Sequence, residues 1–233
     1  MSNNLYQYSI LSALMKGICK KGICASRALK QGTYGLGTVC NLNGEVIILE
    51  SQIYHFPPDE ALHLLKENDI LPFIMITDFN PTLTKSLSSL TMLSLHDALH
   101  PLLPAQQNRF VSTKIDGCFT GITFRVIERQ SDAGETLAEL SKRQRIFHVQ
   151  DTAGTMFGFW SPSFSGGFSV TGFHLHFLSE DRKVGGHVLN FEIRGARLEA
   201  AAVEEYRVEL PSDEEFNRVV IGSVDNEELH KVR

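Results

Sequence analysis

The order of apolar and polar positions along the chain predicts a series of short strands interrupted by a few helices. Residues 39–42 and 45–49 flank Asn43-Gly44, the residue pair favoured in tight two-residue hairpins. Residues 71–79 read as a strand stopped by Asn80-Pro81. Residues 109–117 and 118–127 read as a second hairpin, turned at Asp116-Gly117. A third hairpin spans residues 172–189, two apolar-rich strands around a charged turn at Asp181-Arg182. Helical spacing is read over 59–67, over 82–100 (Leu83, Leu87, Leu90, Leu95) and over 134–146, with Leu137, Leu140 and Ile146 inward. Residues 5–31 look like short helical or irregular pieces. Toward the end come a strand at 189–193, apolar alternation over 197–207 and a short helix at 214–216.

Composition narrows the class of protein. A chain of 233 residues holds one large or two small domains with a real core. Lys and Arg number 22 against 27 Asp and Glu, a net charge of −5 with no basic cluster, which argues against nucleic-acid binding. No run of eighteen apolar residues is present, so no membrane helix is expected. The apolar stretch 8–15 has no positively charged region before it and reads as part of the mature protein, hence an expected cytoplasmic location. Cys19, Cys24, Cys40 and Cys118 lack paired spacing and read as free thiols. The Gly35-Leu36-Gly37 element leads into strand and turn, not into the helix that a dinucleotide loop needs. His96 and His100 stand four apart without a flanking acid and read as a solvated helix face.

The chemistry concentrates in the third hairpin. Side chains alternate faces along a strand, so His174 and His176 project to one side. Folding symmetric about Asp181-Arg182 sets residue 176 opposite 187, where paired Cβ atoms lie roughly 5 Å apart on a shared face. Three imidazoles then converge, a donor set suited to zinc and other late divalent ions that leaves a coordination position open. The competing reading is of ordinary half-buried strand histidines bonded to carbonyls. For His174 and His176 alone the two readings balance; His187 at the mirrored position favours the metal. A one-residue slip would turn His187 to the other face. Glu45, just past a turn, and Arg125, between apolar strand neighbours, are placed at the surface by position alone. If buried, Arg125 needs an anionic partner, and its planar fork suits a carboxylate.

These residues resemble the acetolactate decarboxylase family. The likeness is carried by Gly35-Leu36-Gly37-Thr38, Leu42-Asn43-Gly44-Glu45, Ile115-Asp116-Gly117-Cys118-Phe119 with Arg125, Gly154-Thr155 with Gly158-Phe159, and above all the histidine hairpin. The resemblance implies zinc on His174, His176 and His187, Arg125 and Glu45 in the site instead of at the surface, and Thr38 beside the substrate. It implies a mixed, sheet-rich α/β fold in two parts, divided here as 1–128 and 129–233, and a homodimer. The implied reaction turns 2-acetolactate into acetoin and carbon dioxide through a metal-stabilised enediolate. Arg125 would hold the substrate carboxylate and Glu45 would return a proton. The chain departs from the family pattern at Lys21-Gly22 and Thr33. At the C-terminal end Arg233 stands where the family has a glutamate, leaving Glu227 or Glu228 to fill that role. Two alternatives stay open: a cupin-like metalloenzyme using His174, His176 and Glu180, and a non-catalytic metal- or carboxylate-binding module.

Overall fold

The computed structural model describes residues 2–222 and is rich in sheet, with short helices. The chain opens with β1 (Asn4–Tyr8), α1 (Leu11–Met15), β2 (Ile23–Cys24) and α2 (Ala25–Ala28). Then come β3 (Tyr34–Thr38), a 3-10 turn at Cys40–Leu42, β4 (Glu45–Leu49), β5 (Gln52–Phe56) and β6 (His63–Leu64). After β7 (Ile70–Leu71), β8 (Phe73–Thr77), β9 (Leu83–Thr91) and α3 (Leu95–Ala98) runs the long β10 (Val111–Val126). The remainder is α4 (Leu137–Ser141), β11 (Arg145–Val149), β12 (Thr152–Ser161), β13 (Gly172–Ser179), β14 (Gly185–Ala202), β15 (Glu205–Glu209) and α5 (Glu214–Arg218).

Two main sheets result. One has seven strands in the order β15-β1-β8-β3-β4-β5-β6, with β15 parallel to β1. The other has six, β11-β10-β12-β13-β14-β9, and an additional β10–β14 pairing closes β10, β12, β13 and β14 on themselves. Inside this closure pack Ile115, Phe119, Phe124, Met156, Phe177 and Phe191. A second apolar layer, including Leu36, Ile47, Phe73, Met75, Phe157 and Phe159, fills the space between the two sheets. Strand parity decides what each layer receives. On β13, Leu175 and Phe177 point into the closed core, so His174 and His176 point out toward the interlayer. On β4, Ile47 and Leu49 share the interlayer side with Glu45, while Val46 and Ile48 pack on the far side of the sheet. Gly158 lets β12 approach β13 here, because a β-carbon would collide with the His174 carbonyl oxygen.

Several sequence expectations are corrected. The first hairpin pairs β4 with β3, one strand earlier, through a six-residue connection in which Asn41 and Leu42 adopt positive φ of 59° and 54°. Residues 59–67 form turns and β6, not a helix, because the edge of β5 offers their backbone a partner. Residues 83–91 are a strand, and only 95–98 are α-helical. Leu83 and Leu87 stand four apart, which fits a period of two as well as 3.6, and β14 supplies the ladder. Residues 109–127 contain one continuous strand. Asp116-Gly117 sits at a bulge against β14, where a β-carbon on Gly117 would approach the Gly195 carbonyl to 2.7 Å. The third predicted helix is confined to α4, started by a Thr136–Glu139 capping box, and Ile146 is 50% exposed on β11. The strand read at 189–193 is part of β14, and β1 is a strand where short helical or irregular pieces are expected. The short C-terminal helix stands as expected, capped by Asp213. No helix among the described residues is long and apolar enough to cross a membrane.

Candidate metal centre

The β13–β14 hairpin pairs His176 with His187, Phe177 with Gly186 and Leu178 with Gly185, the register that symmetry about Asp181-Arg182 predicts. The turn residues pin that register. Ser179 donates its N–H to the Val184 carbonyl at 2.9 Å, and its hydroxyl accepts from the Lys183 and Val184 N–H groups at 3.1 Å each. The same hydroxyl donates to Asp181 Oδ1 at 2.7 Å. Centroids of the His174, His176 and His187 rings lie 4.9 to 5.4 Å apart. One ring nitrogen from each falls within 4.8 Å of the others.

All three rings are buried, at 8%, 1% and 5% exposure. Burial drives the His176 pKa down to about 3, with the hydrogen bond to Val46 opposing and the Arg125 charge adding to the fall. Burial likewise holds His174 and His187 well below the usual range. Neutral imidazole is the form that binds metal. His176 donates from Nδ1 to the Val46 carbonyl at 2.7 Å, a bond that fixes its tautomer and leaves the Nε2 lone pair facing the cluster. That Nε2 and His174 Nδ1 are buried without a hydrogen-bond partner among the described residues, a costly arrangement that a metal ion relieves. Three converging imidazoles held neutral by burial, one of them oriented by its bond to Val46, fit a late divalent cation.

Glu45 begins β4, and Arg125, one residue before the end of β10, lies directly opposite His187 in the ladder. Both are buried, at 7% and 4% exposure, so neither takes the surface place that position alone favours. Glu45 Oε1 lies 3.9 Å from Arg125 Nη1, and Glu45 Oε2 lies 3.7 Å from His176 Nε2. Burial raises the Glu45 pKa from 4.5 to about 7, with Arg125 and the Ile127 N–H pulling the other way. Burial also lowers Arg125, opposed by Glu45. Thr38 pairs with Glu45 across β3 and β4, and its buried hydroxyl donates to the Gly44 carbonyl at 2.7 Å. Toward the cavity Thr38 therefore offers only an acceptor.

The raised Glu45 pKa has a sign that can be checked. A carboxyl whose folded pKa lies above its unfolded value stabilises the fold fully below the unfolded pKa, and that contribution is lost as pH rises through the folded one. Metal-free protein should therefore lose stability relative to a Glu45→Gln variant as pH climbs from 4.5 to about 7. Urea unfolding of both proteins across that range reads the difference; parallel pH profiles would contradict a buried, proton-bearing Glu45.

The cavity around these groups is lined on its apolar side by Leu11 and Leu14 of α1, Leu137 of α4, Leu42, Phe73 and Val170. Sequence reading does not find this apolar cap, because nothing local marks those leucines off from other core positions. Glu180 stands exposed in the hairpin turn and is not part of the histidine cluster, so the cupin-like ligand set is not assembled. His96 lies against Trp160, with ring centroids 5.2 Å apart, and is no part of the cluster either. Glu227, Glu228 and Arg233 lie outside the described residues.

Comparison with known proteins is consistent along the whole chain. The family model described as alpha-acetolactate decarboxylase matches residues 5–222. The alpha-acetolactate decarboxylase of Brevibacillus brevis is 32% identical over 232 residues, covering 98% of this chain and 80% of that protein. The one from Lactococcus lactis subsp. cremoris is 31% identical over 228 residues, covering 97% and 95%. The crystal structure of alpha-acetolactate decarboxylase from Bacillus subtilis strain 168 superposes with a TM-score of 0.93 at 27% identity, covering 98% of each chain.

Proposed function

The chain belongs to the alpha-acetolactate decarboxylase family of carboxy-lyases, and from that premise we propose that it converts 2-acetolactate to acetoin and carbon dioxide, with zinc held by His174, His176 and His187. The observation that carries this reading is the meeting of three buried, neutral imidazoles with Glu45 and Arg125 in one apolar-walled cavity. When bound, the ion supplies Lewis-acid polarisation of the substrate's ketone oxygen, the electron sink that loss of carbon dioxide requires.

The other work falls to side chains of this chain. Arg125 binds the substrate carboxylate through its planar fork and would hold the scissile bond perpendicular to the plane of the neighbouring ketone, where its electron pair overlaps the carbonyl π system. Leu11, Leu14, Leu42 and Leu137 keep water out, which strengthens the electrostatic contacts inside. Loss of carbon dioxide leaves an electron pair on the former carboxylate-bearing carbon, and acetoin forms only once that carbon gains a proton. Glu45, buried beside the histidine cluster with Oε2 3.7 Å from His176 Nε2, is the group placed to deliver it. Thr38 accepts a hydrogen bond from the substrate hydroxyl. The reading extends to a homodimer, as the resemblance implies.

Purified protein incubated with 2-acetolactate should release carbon dioxide and acetoin in equal amounts, far faster than the uncatalysed reaction. Binding of a carboxylate analogue without acetoin formation would reject the decarboxylase reading in favour of a non-catalytic binder.

A further inference from the structure

On the face of the seven-stranded sheet turned away from the cavity, β5 and β6 bring His55 and His63 together. His55 is 5% exposed and pairs with Val46 in the β4–β5 ladder. Its Nε2 lies 2.6 Å from the Asn43 carbonyl oxygen, and its Nδ1 lies 3.2 Å from His63 Nε2. A carbonyl oxygen only accepts, so His55 donates from Nε2. Its Nδ1 then carries the lone pair and lies beside His63 Nε2. The two rings meet edge to face at 88°, with centroids 4.9 Å apart.

Asn43 stands two residues before Glu45, in the connection that leaves β3 and enters β4. That connection carries left-handed residues at 41, 42 and 44, with φ of 59°, 54° and 96°, and it is held from several sides. Asn41 donates to the Cys19 carbonyl and accepts from the Gln130 N–H, each at 2.9 Å. Gly44 accepts from Thr38. The Asn43 carbonyl is held by His55. The ladder between β4 and β5 is complete without this bond, running from Glu45–Phe56 to Leu49–Gln52, so the imidazole adds a fixed point beyond strand pairing.

We infer that His55 is a positioning residue for Glu45: its hydrogen bond to the Asn43 carbonyl fixes the entry into β4 and thereby the stance of the Glu45 carboxylate against His176 and Arg125. This inference rests on Glu45 as the proton donor of the proposed reaction. Misplacing a reacting group by about 1 Å costs up to roughly 100-fold in rate, so a lost anchor at this point reads out in turnover.

The test uses the full chain loaded with zinc. In a His55→Leu variant, kcat should fall about 10- to 100-fold, with KM for 2-acetolactate and zinc content unchanged. His55→Gln, whose amide nitrogen takes the place of Nε2, should restore most of the loss. His55→Asn, whose amide is too short to reach Asn43, should behave like leucine while keeping a polar side chain that favours folding. A merely structural role for His55 would lower thermal stability and zinc content in all three variants together. It would not separate Gln from Asn. Folded, zinc-loaded His55→Leu with parental kcat, or equal losses in Gln and Asn, would overturn the inference. Glu45→Gln is measured alongside. Parental turnover in that variant overturns the reading on which the inference rests. An inactive Glu45→Gln beside a fully active His55→Leu overturns the inference alone.

Discussion

A His187→Ala variant is expected to lose both its metal and its turnover. His187 is one of the three histidines that, among the described residues, are grouped closely enough to hold a metal, and it is the one supplied by β14. Taking it away leaves two imidazoles, fewer protein ligands than catalytic zinc sites use. Replacement of supporting residues around such sites already costs about 10- to 100-fold in metal affinity or activity, and a direct ligand costs more. The fold itself should survive, because the Phe177–Gly186 and Leu178–Gly185 pairs and the Ser179 turn bonds hold the hairpin without the ring. Glu180→Ala, in the exposed turn, should keep full metal content and activity. Metal-to-protein ratios after gel filtration, read with kcat, check both variants. Full zinc in His187→Ala, or loss of zinc in Glu180→Ala, would reject the three-histidine assignment.

The second large effect belongs to Arg125→Lys, in which the formal charge is conserved but the chemistry is not. The guanidinium stays protonated in a buried site and offers two parallel N–H donors to a carboxylate. An ammonium in the same place is a single point donor, and burial at 4% exposure pushes it toward the neutral form. It also leaves Glu45, whose Oε1 lies 3.9 Å from Arg125 Nη1, with a weaker counter-charge. A loss of roughly 100-fold in kcat/KM, about 2.7 kcal/mol of transition-state stabilisation, is expected. Steady-state kinetics with 2-acetolactate measures it, and turnover within a small factor of the parent would remove Arg125 from the site.

What the sequence made legible follows from how local each signal is. The histidine hairpin could be read because strand parity, three histidines and the symmetric charged turn all lie within eighteen residues, and the turn bonds of Ser179 enforce the same register. Asp116-Gly117 misled because a β-bulge and a hairpin turn use the same residue types. The choice between them was made by β12 and β14, far along the chain. The leucines of 83–91 misled because a spacing of four serves a helix and a strand alike. Burial of Glu45 and Arg125 was invisible locally. It follows from one sheet being laid on another, and only the family resemblance pointed to it. The leucine cap of α1 and α4 had no signal, since residues 11, 14 and 137 come together only through the tertiary fold.

The most direct test of the whole account is acetoin formation from 2-acetolactate by the purified protein as isolated, after chelation, and after zinc is returned. The account predicts that activity disappears on chelation and is restored by zinc, in step with metal bound per chain, with no restoration in His187→Ala. Undiminished acetoin formation by fully chelated protein, or zinc bound at the three histidines with no acetoin formed, would contradict it.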